Sequence, residues 1–307
     1  MKTDKEFKSV DFKHEAQMKY IEIVSCPLCG NEDNKPFSFE EITIEGVSCR
    51  LGVNKCKKCS LVYTSPRLNS TGLTFLYDVE YKNAISGIYN IDFKNAEKEY
   101  LSSKKYVFEL LPRGGIILDV GCGTGNFLSQ FIGNDRYIAE GVEISKLAAK
   151  EAEMKGVKVQ CGDIQNLHLS AEKYDVVSML YVLEHVSNPV GLLKESYRLL
   201  KKGGYCLILV PNFNYLRLIY TGLLSSLFFR RKTYLHAEEH LQNFTPSTLL
   251  HTIKKAGFIP IKWGCASPIN VGNRYAKIAK KTLSVVVHTL FYAGIHLGGI
   301  HLIVKKE

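Results

Sequence analysis

The sequence lacks an apolar run at its start. The first 15 residues, MKTDKEFKSVDFKHE, are polar and mixed in charge, whereas a secretory signal needs an apolar stretch and a small-residue cleavage site. The composition, 46% hydrophobic and 23% charged, is ordinary for a globular protein and argues against long disorder. We therefore expect a folded cytoplasmic protein. Its 307 residues are enough for one large domain and a small accessory unit.

Acidic side chains are scarce in the last third of the chain. Residues 201–307 hold 15 basic and 3 acidic side chains, whereas residues 1–66 hold 10 of each and residues 67–200 hold 15 and 17. A field of one sign suggests an anionic partner, such as phosphate, nucleic acid or an acidic membrane surface. A face that only keeps the protein soluble is the alternative.

The cysteine pattern does not favour disulfides. Cys26 and Cys29 form one C-x-x-C pair, Cys56 and Cys59 form a second, and the other five cysteines stand singly. Two such pairs supply the four soft ligands of a closed tetrahedral zinc site. The 26 intervening residues exceed the usual ribbon spacing, and free cysteines also occur as small buried hydrophobes. The pattern predicts a zinc-ribbon module over residues 1–66, with a structural and not a catalytic zinc.

A glycine-rich turn follows an apolar run in the middle of the chain. Residues 115–120 predict a buried strand, residues 126–131 open a helical pattern, and Gly121, Gly123 and Gly125 lie between them. Glycines here allow a ligand to approach the backbone closely, and the next helix offers free N–H groups. The spacing is G-x-G-x-G and not the dinucleotide G-x-G-x-x-G, so the turn alone is a weak signal.

The segments after this turn alternate between strand and helix patterns. Strands are predicted over 137–143, 157–161, 173–180 and 205–210, and helices over 145–155 and 188–201. Glu143, 20 residues after Gly123, is placed where a carboxylate can accept ribose hydroxyls, and Asp163 ends the third strand, where it can meet an adenine amino group. The pattern predicts an α/β fold with a doubly wound, Rossmann-like sheet and a ligand site at the carboxyl ends of its strands.

The order of these motifs resembles the class I S-adenosylmethionine (SAM)-dependent methyltransferases: D-V-G-C-G-T-G, then Glu143, then G-D-I, L-E-H-V and K-K-G-G. The resemblance covers about residues 100–265. It implies that SAM is the cofactor and that the glycine backbone, the ribose acid and the adenine residues hold it. The implied cofactor residues are Asp119, Gly121, Gly123, Gly125, Glu143, Ile144, Asp163, Ile164 and Tyr181.

The two cysteine knuckles in front of this core resemble, more loosely, methyltransferases of bacterial sugar, surface-glycan and lipid pathways. We therefore expect a zinc ribbon over 1–66, a helical linker or cap over 67–110, and a methyltransferase domain over 111–307 with an apolar, basic insertion at 213–235. The expected acceptor is a sugar, glycan or lipid precursor. An RNA methyltransferase that grips nucleic acid with the ribbon is the alternative, but the ribbon is charge-balanced, which disfavours nucleic acid.

Two histidines are candidate bases for the acceptor. Methyl transfer from a sulfonium needs mainly positioning and exclusion of water, but a hydroxyl acceptor must also lose its proton, for which histidine has a suitable pKa. His185 follows the fourth strand, and His240 lies in H-A-E-E-H-L-Q-N-F. Alternatively, His185 belongs only to the start of a helix, and His240 only caps the pocket. Some relatives hold a divalent metal with E-x-x-E-H, but Tyr181 occupies the first position here. Tyr181 could face the sulfonium or simply pack.

Two apolar stretches stand out in the basic last third. Residues 215–232 are apolar nearly all round and end in Arg230, Arg231 and Lys232. This is typical of a peripheral helix in a membrane interface, and a lid or a dimer contact is the alternative. Residues 283–304 lack charged Asp, Glu, Lys and Arg side chains, but glycines and histidines divide them. We expect them to end in a strand over 299–304, antiparallel to a sixth strand over 258–263.

Overall fold

The computed structural model describes residues 15–76, 93–214, 216, 235–265 and 299–307. In chain order the strands are β1 (Ile21–Glu22), β2 (Asn34–Ile44), β3 (Val47–Cys56), β4 (Val62–Thr64), β5 (Arg67–Leu68), β6 (Gly115–Val120), β7 (Tyr137–Glu143), β8 (Lys158–Cys161), β9 (Tyr174–Leu180), β10 (Leu200–Val210), β11 (Gln242–Asn243), β12 (Ile259–Cys265) and β13 (Ile300–Lys305). The α-helices are α1 (70–76), α2 (Phe93–Leu110), α3 (Lys146–Met154), α4 (Pro189–Leu199) and α5 (Pro246–Lys255).

The larger sheet has seven strands in the order β12-β13-β10-β9-β6-β7-β8. Strands β10, β9, β6, β7 and β8 pair in parallel, and β13 runs antiparallel to both β10 and β12. The Rossmann-like sheet and the antiparallel final pair predicted from the sequence are therefore confirmed. The order reverses direction beside β6, which is the switch point where ligands bind in open α/β sheets.

Helices cover both faces of this sheet. Successive side chains of a strand point to opposite faces, so Leu118 and Val120 of β6 join one buried cluster with residues of α4 and α5, while Ile117 joins a second cluster on the other face. The second cluster includes Val107 of α2 and Ala152 of α3. Both clusters are apolar throughout, and this burial is the main force that holds the domain together.

One expected helix is shorter than its pattern indicated, and one connection of the larger sheet has no helix. The pattern over 126–131 produces only a 3-10 helix, Leu128–Phe131, and the connection over 162–173 contains turns but no helix. In that connection Gly162, His168 and Glu172 have φ values of 149°, 48° and 52°. A right-handed helix excludes positive φ, so the chain passes from β8 to β9 without a helix, and none was predicted there.

The amino-terminal residues form a smaller sheet with the order β11-β4-β3-β2. A two-residue loop, Glu45 and Gly46 with φ values of 48° and 80°, joins β2 to β3, as positive φ at both positions is typical of a tight hairpin. Strand β11 pairs with β4, although β11 lies about 180 residues later in the chain. The small sheet therefore includes a strand from the segment between β10 and α5.

The last third is described only in part. Most of residues 215–232 and 283–298 lie outside the described residues, so the peripheral membrane helix stays a prediction. In the described parts of the chain, no helix has the length and apolar character needed to cross a membrane. The strand expected over 299–304 is found as β13, and the sixth strand as β12.

Candidate active site

A cavity of about 460 Å³ opens at the carboxyl ends of the parallel strands, a volume typical of small-molecule sites. Its floor comes from the ends of β6 and β7 and from the segments after β8 and β9. Helix α1 of the amino-terminal region covers part of its rim with Ser70, Leu73 and Thr74. The lining residues named by the sequence are Gly121, Glu143, Ile144, Asp163, Ile164, Tyr181 and His185.

The three glycines of the turn have different surroundings. All three adopt positive φ, at 66° for Gly121, 52° for Gly123 and 74° for Gly125. A Cβ on Gly121 would lie 2.7 Å from Val182, and one on Gly125 would lie 2.8 Å from Ala152, whereas a Cβ on Gly123 would meet nothing within 4 Å. Gly121 therefore allows the loop after β9 to approach, Gly125 allows α3 to pack, and Gly123 has open space beside it.

The carboxylate of Glu143 is fixed at the end of β7. Its Oε2 accepts the N–H of Gly123 at 2.8 Å, and its Oε1 accepts the N–H of Ser145 at 2.8 Å. The residue is 5% exposed but lines the cavity. Because each oxygen keeps a free lone pair, a bound polyol could donate to a carboxylate that the backbone has already oriented.

The other expected cofactor residues lie at different depths. Asp163 is exposed and accepts the N–H of Gln165, Ile164 is buried, and Ile144 is 64% exposed. Asp119 is buried and does not line the cavity; Ser178 donates to its Oδ1 at 2.6 Å. Burial raises the pKa of Asp119 to about 7. The structure thus brings Gly121, Glu143, Asp163 and Ile164 to one cavity and places Asp119 beneath it.

Tyr181 follows β9 with φ of 60°, which is uncommon for a residue with a Cβ and concentrates at functional sites. Its backbone N–H donates to the carbonyl of Leu209, which holds the turn against β10, and its side chain lines the cavity. Burial raises the pKa of the Tyr181 phenol, so the ring stays neutral at physiological pH.

His185, which lines the cavity, belongs to a cluster of three histidines. The His185 and His240 rings lie edge to face with centroids 4.9 Å apart, and the His236 ring lies 5.6 Å from that of His240. Nδ1 of His185 lies 3.1 Å from the carbonyl oxygen of Glu239. Because a carbonyl can only accept, Nδ1 carries the proton and Nε2 keeps a lone pair. The structure therefore joins the two histidines that the sequence named separately.

Burial sets the charge state of the His185 and His240 rings. It lowers the pKa of His185 and lowers that of His240 well below the usual value, so both rings are neutral at pH 7 and can accept a proton. Beside them Glu184 is 1% exposed, and its two oxygens have no hydrogen-bond partner within the described residues. Burial raises the pKa of Glu184 to about 8.

Glu184, His185 and His240 also meet the distance requirement for a cation site. One ligand atom from each lies within 4.8 Å of the others, and a carboxylate with two imidazoles is a donor set that divalent metals use. Sequence reasoning did not assign Glu184, although it precedes His185 in L-E-H-V. The sequence did not reveal that His240, which comes from a distant segment, lies beside Glu184.

The four cysteines named by the sequence lie together in the amino-terminal region. Their sulfurs are within 4.8 Å of one another, with Cys26 and Cys59 at 3.4 Å and Cys29 and Cys56 at 3.5 Å. None forms a disulfide. The two knuckles have matching hydrogen bonds, Gly30 N–H to the Cys26 carbonyl and Ser60 N–H to the Cys56 carbonyl. Four thiols at these distances fit a tetrahedral zinc.

Residues 93–262, more than half of the chain, match a family model described as a methyltransferase domain. Together with the sheet order and the cavity at its switch point, the match defines a class I SAM-dependent methyltransferase domain. The chain belongs to this methyltransferase domain family.

Several relatives and solved structures are similar to the chain. The ubiquinone biosynthesis O-methyltransferase of Coxiella burnetii is 32% identical over 124 residues, which are 38% of this chain and 53% of that protein; the chain thus spans about half of its length. An uncharacterised protein of Methanocaldococcus jannaschii is 31% identical over 172 residues, 55% of this chain and 77% of that one. A SAM-dependent methyltransferase of Thermotoga maritima, a possible histamine N-methyltransferase, is 23% identical with a TM-score of 0.49, covering 76% of this chain and 96% of that one.

Proposed function

We propose that the protein transfers a methyl group from SAM to a hydroxyl group of a small molecule, a sugar, glycan or lipid precursor. The observation that carries the proposal is the neutral imidazole of His185, which lines the cavity that holds Glu143, packed edge to face against the neutral imidazole of His240. Bound SAM supplies an electrophilic methyl on a sulfonium, and a hydroxyl that attacks it must lose a proton. Transfer to an oxygen agrees with the name of the similar ubiquinone biosynthesis O-methyltransferase.

In this proposal each residue has a separate task. Glu143 accepts the ribose hydroxyls, and Asp163 with Ile164 borders the adenine. Tyr181 closes the cavity beside the sulfonium, where an aromatic ring favours a cation and excludes water. The lone pair of His185 Nε2, oriented by the bond from Nδ1 to the Glu239 carbonyl, takes the acceptor proton. His240 lies against His185 and limits where the acceptor can enter.

A tritium-transfer assay tests this function. Radiolabelled SAM is incubated with nucleotide sugars, lipid-linked glycan precursors and tRNA, so that label in the RNA fraction alone would favour the RNA alternative. General-base catalysis contributes roughly 100-fold to 10,000-fold, so His185→Ala should lower the rate by that order without weakening SAM binding. His251→Ala, an exposed histidine on α5, is the matched control. Unchanged turnover in His185→Ala would refute the assignment of the base.

The same assay with and without EDTA separates two roles of the histidine cluster. If Glu184, His185 and His240 hold a divalent cation, EDTA abolishes transfer and added metal restores it. If His185 is the base on its own, chelation that leaves the cysteine-bound zinc in place leaves the rate unchanged.

We also propose that Cys26, Cys29, Cys56 and Cys59 hold a structural zinc. The support is the distance between their sulfurs and the matching backbone of the two knuckles. With all four positions filled by protein, such a zinc stabilises the fold and takes no part in the chemistry.

A further inference from the structure

The segment that carries His236 and His240 is held by the amino-terminal sheet. We call residues 235–243 the histidine segment. The Ala237 N–H donates to Oε2 of Glu40 at 2.8 Å. Thr64 Oγ1 donates to the His240 carbonyl at 2.9 Å, and the Thr64 N–H donates to the Leu241 carbonyl at 3.0 Å. The first residues of the histidine segment therefore contact β2. Its last residues, where β11 begins, contact β4.

The loop that carries Glu184 and His185 is tied to the same sheet. Gln242 of β11 donates its N–H to the Glu184 carbonyl and its Nε2 to the Val186 carbonyl. Arg67 of β5, itself 7% exposed, lies with Nη1 at 3.4 Å from the Ser187 carbonyl. The His185 loop is thus held by Gln242 of the histidine segment, which itself lies on the amino-terminal sheet, and by Arg67 of the separate β1–β5 pair.

The Glu40 side chain holds the backbone of the histidine segment in place. It is 7% exposed and comes from the middle of β2, where it accepts the Ala237 N–H, and burial together with the nearby Glu238 carboxylate raises its pKa to about 7. His236, next to Ala237, has a φ of 46°, which a residue with a Cβ adopts only when its surroundings impose it. Glu40 contributes to that constraint, because its bond to Ala237 fixes the backbone directly after His236, while the N–H groups of Glu239 and His240 bond to the His236 carbonyl.

We propose that Glu40 and Thr64 are positioning residues of the active site, and that the amino-terminal sheet sets the distance and angle between the His240 and His185 rings. The proposal rests on the proposed function, in which these rings border the acceptor. The amino-terminal region is then part of the catalytic centre and not a tethered accessory. Neither residue touches the cavity that holds Glu143, so their effect should spare SAM binding.

Two pairs of variants test this proposal in the full-length protein. Thr64→Val removes the hydroxyl donor and keeps the shape, whereas Thr64→Ser keeps the donor. Glu40→Met removes the acceptor for Ala237, whereas Glu40→Gln keeps an amide oxygen for Ala237 and an amide N–H for Glu238. The readout is the carbon–proton correlation spectrum of the histidine rings, recorded with zinc content and SAM affinity measured by calorimetry on the same samples.

The ring signals of His185 and His240 should move in Thr64→Val and Glu40→Met and return to the wild-type position in Thr64→Ser and Glu40→Gln. Signals of His251, which lies on α5, and of His168, which lies in the connection between β8 and β9, should not move. The affinity for SAM should be unchanged. Once an acceptor substrate is known, the kcat of Thr64→Val should be about fivefold below that of wild type, as expected for the loss of one hydrogen bond. The KM for SAM should stay constant.

Wild-type His185 and His240 signals in folded Thr64→Val and Glu40→Met would overturn the proposal. If Glu40→Met does not fold, the single hydrogen bond removed in Thr64→Val decides the question. The spectra are independent of the proposed function, because they report ring positions in the absence of cofactor. Failure of wild-type protein to bind SAM would therefore refute the function while the ring signals still test the positioning.

Discussion

Gly125 and Ala152 lie so close that a Cβ on Gly125 would be 2.8 Å from the Ala152 Cβ. This contact fixes the last turn of α3 against the turn after β6. Gly125 also has a φ of 74°, so a side chain there would meet both backbone strain and a packed helix.

We predict that Gly125→Ala lowers the free energy of unfolding by about 2–5 kcal/mol, the sum of left-handed strain and overpacking. Gly123→Ala is the matched control, since it has a similar φ but open space around the new Cβ, and it should lose only about 1–2 kcal/mol. Urea unfolding measures both. Equal losses in the two variants would show that the Ala152 contact does not limit this position.

The proposed zinc should be retained through purification at about one per chain, as measured by plasma emission spectroscopy. Cys56→Ser should lower the zinc content and the melting temperature, because binding energy at a structural site is folding energy. Cys161→Ser, at an exposed cysteine outside the cluster, is the control and should change neither. Metal-free protein with an unchanged melting temperature would contradict the zinc assignment.

Asp119 should make stability depend on pH. Burial raises its pKa to about 7 from an ordinary value of 3.8, so between these values the folded state holds a proton that the unfolded state has lost. The stabilisation is therefore complete at acid pH and is lost as pH rises, by about 1.4 kcal/mol per pH unit until about pH 7.

The measurement is the difference in unfolding free energy between wild type and Asp119→Asn, which keeps the Ser178 hydrogen bond and cannot ionise. That difference should fall from about pH 4 to pH 7 and then level off. A difference that stays constant over this range would show that Asp119 ionises normally in the folded protein.

Local spacing predicted much of the cofactor side of the site. The strands, the glycine turn and Glu143 follow one another within a short stretch, so period and residue type were enough to place them at one sheet edge. The strands of the larger sheet, including the antiparallel β12–β13 pair, are confirmed for the same reason. No helix was predicted over 162–173, and the positive φ of His168 and Glu172 keeps this connection irregular.

The acceptor side depends on contacts between distant parts of the chain. Thr64 and His240 are 176 residues apart, and Glu40 and Ala237 are 197 apart. Glu40 belongs to no motif, since a buried carboxyl on a strand has no recognisable pattern until its partner is known, and the run after the second cysteine pair, which contains Thr64, does not reveal that Thr64 meets His240. The sequence named His185 and His240, but their contact with each other and with Glu184 required the pairing of β11 with β4.

Titration calorimetry of SAM against wild-type protein and Glu143→Ala tests most directly whether the cavity beside β6 and β7 is the cofactor site. Wild type should bind SAM, and loss of the carboxylate should weaken binding by about 1–3 kcal/mol through the missing charge-assisted hydrogen bonds. Glu153→Ala, an exposed acid in the last turn of α3, should bind like wild type. Equal affinity of Glu143→Ala and wild type, or no binding by wild type, would contradict the assignment of this cavity to SAM.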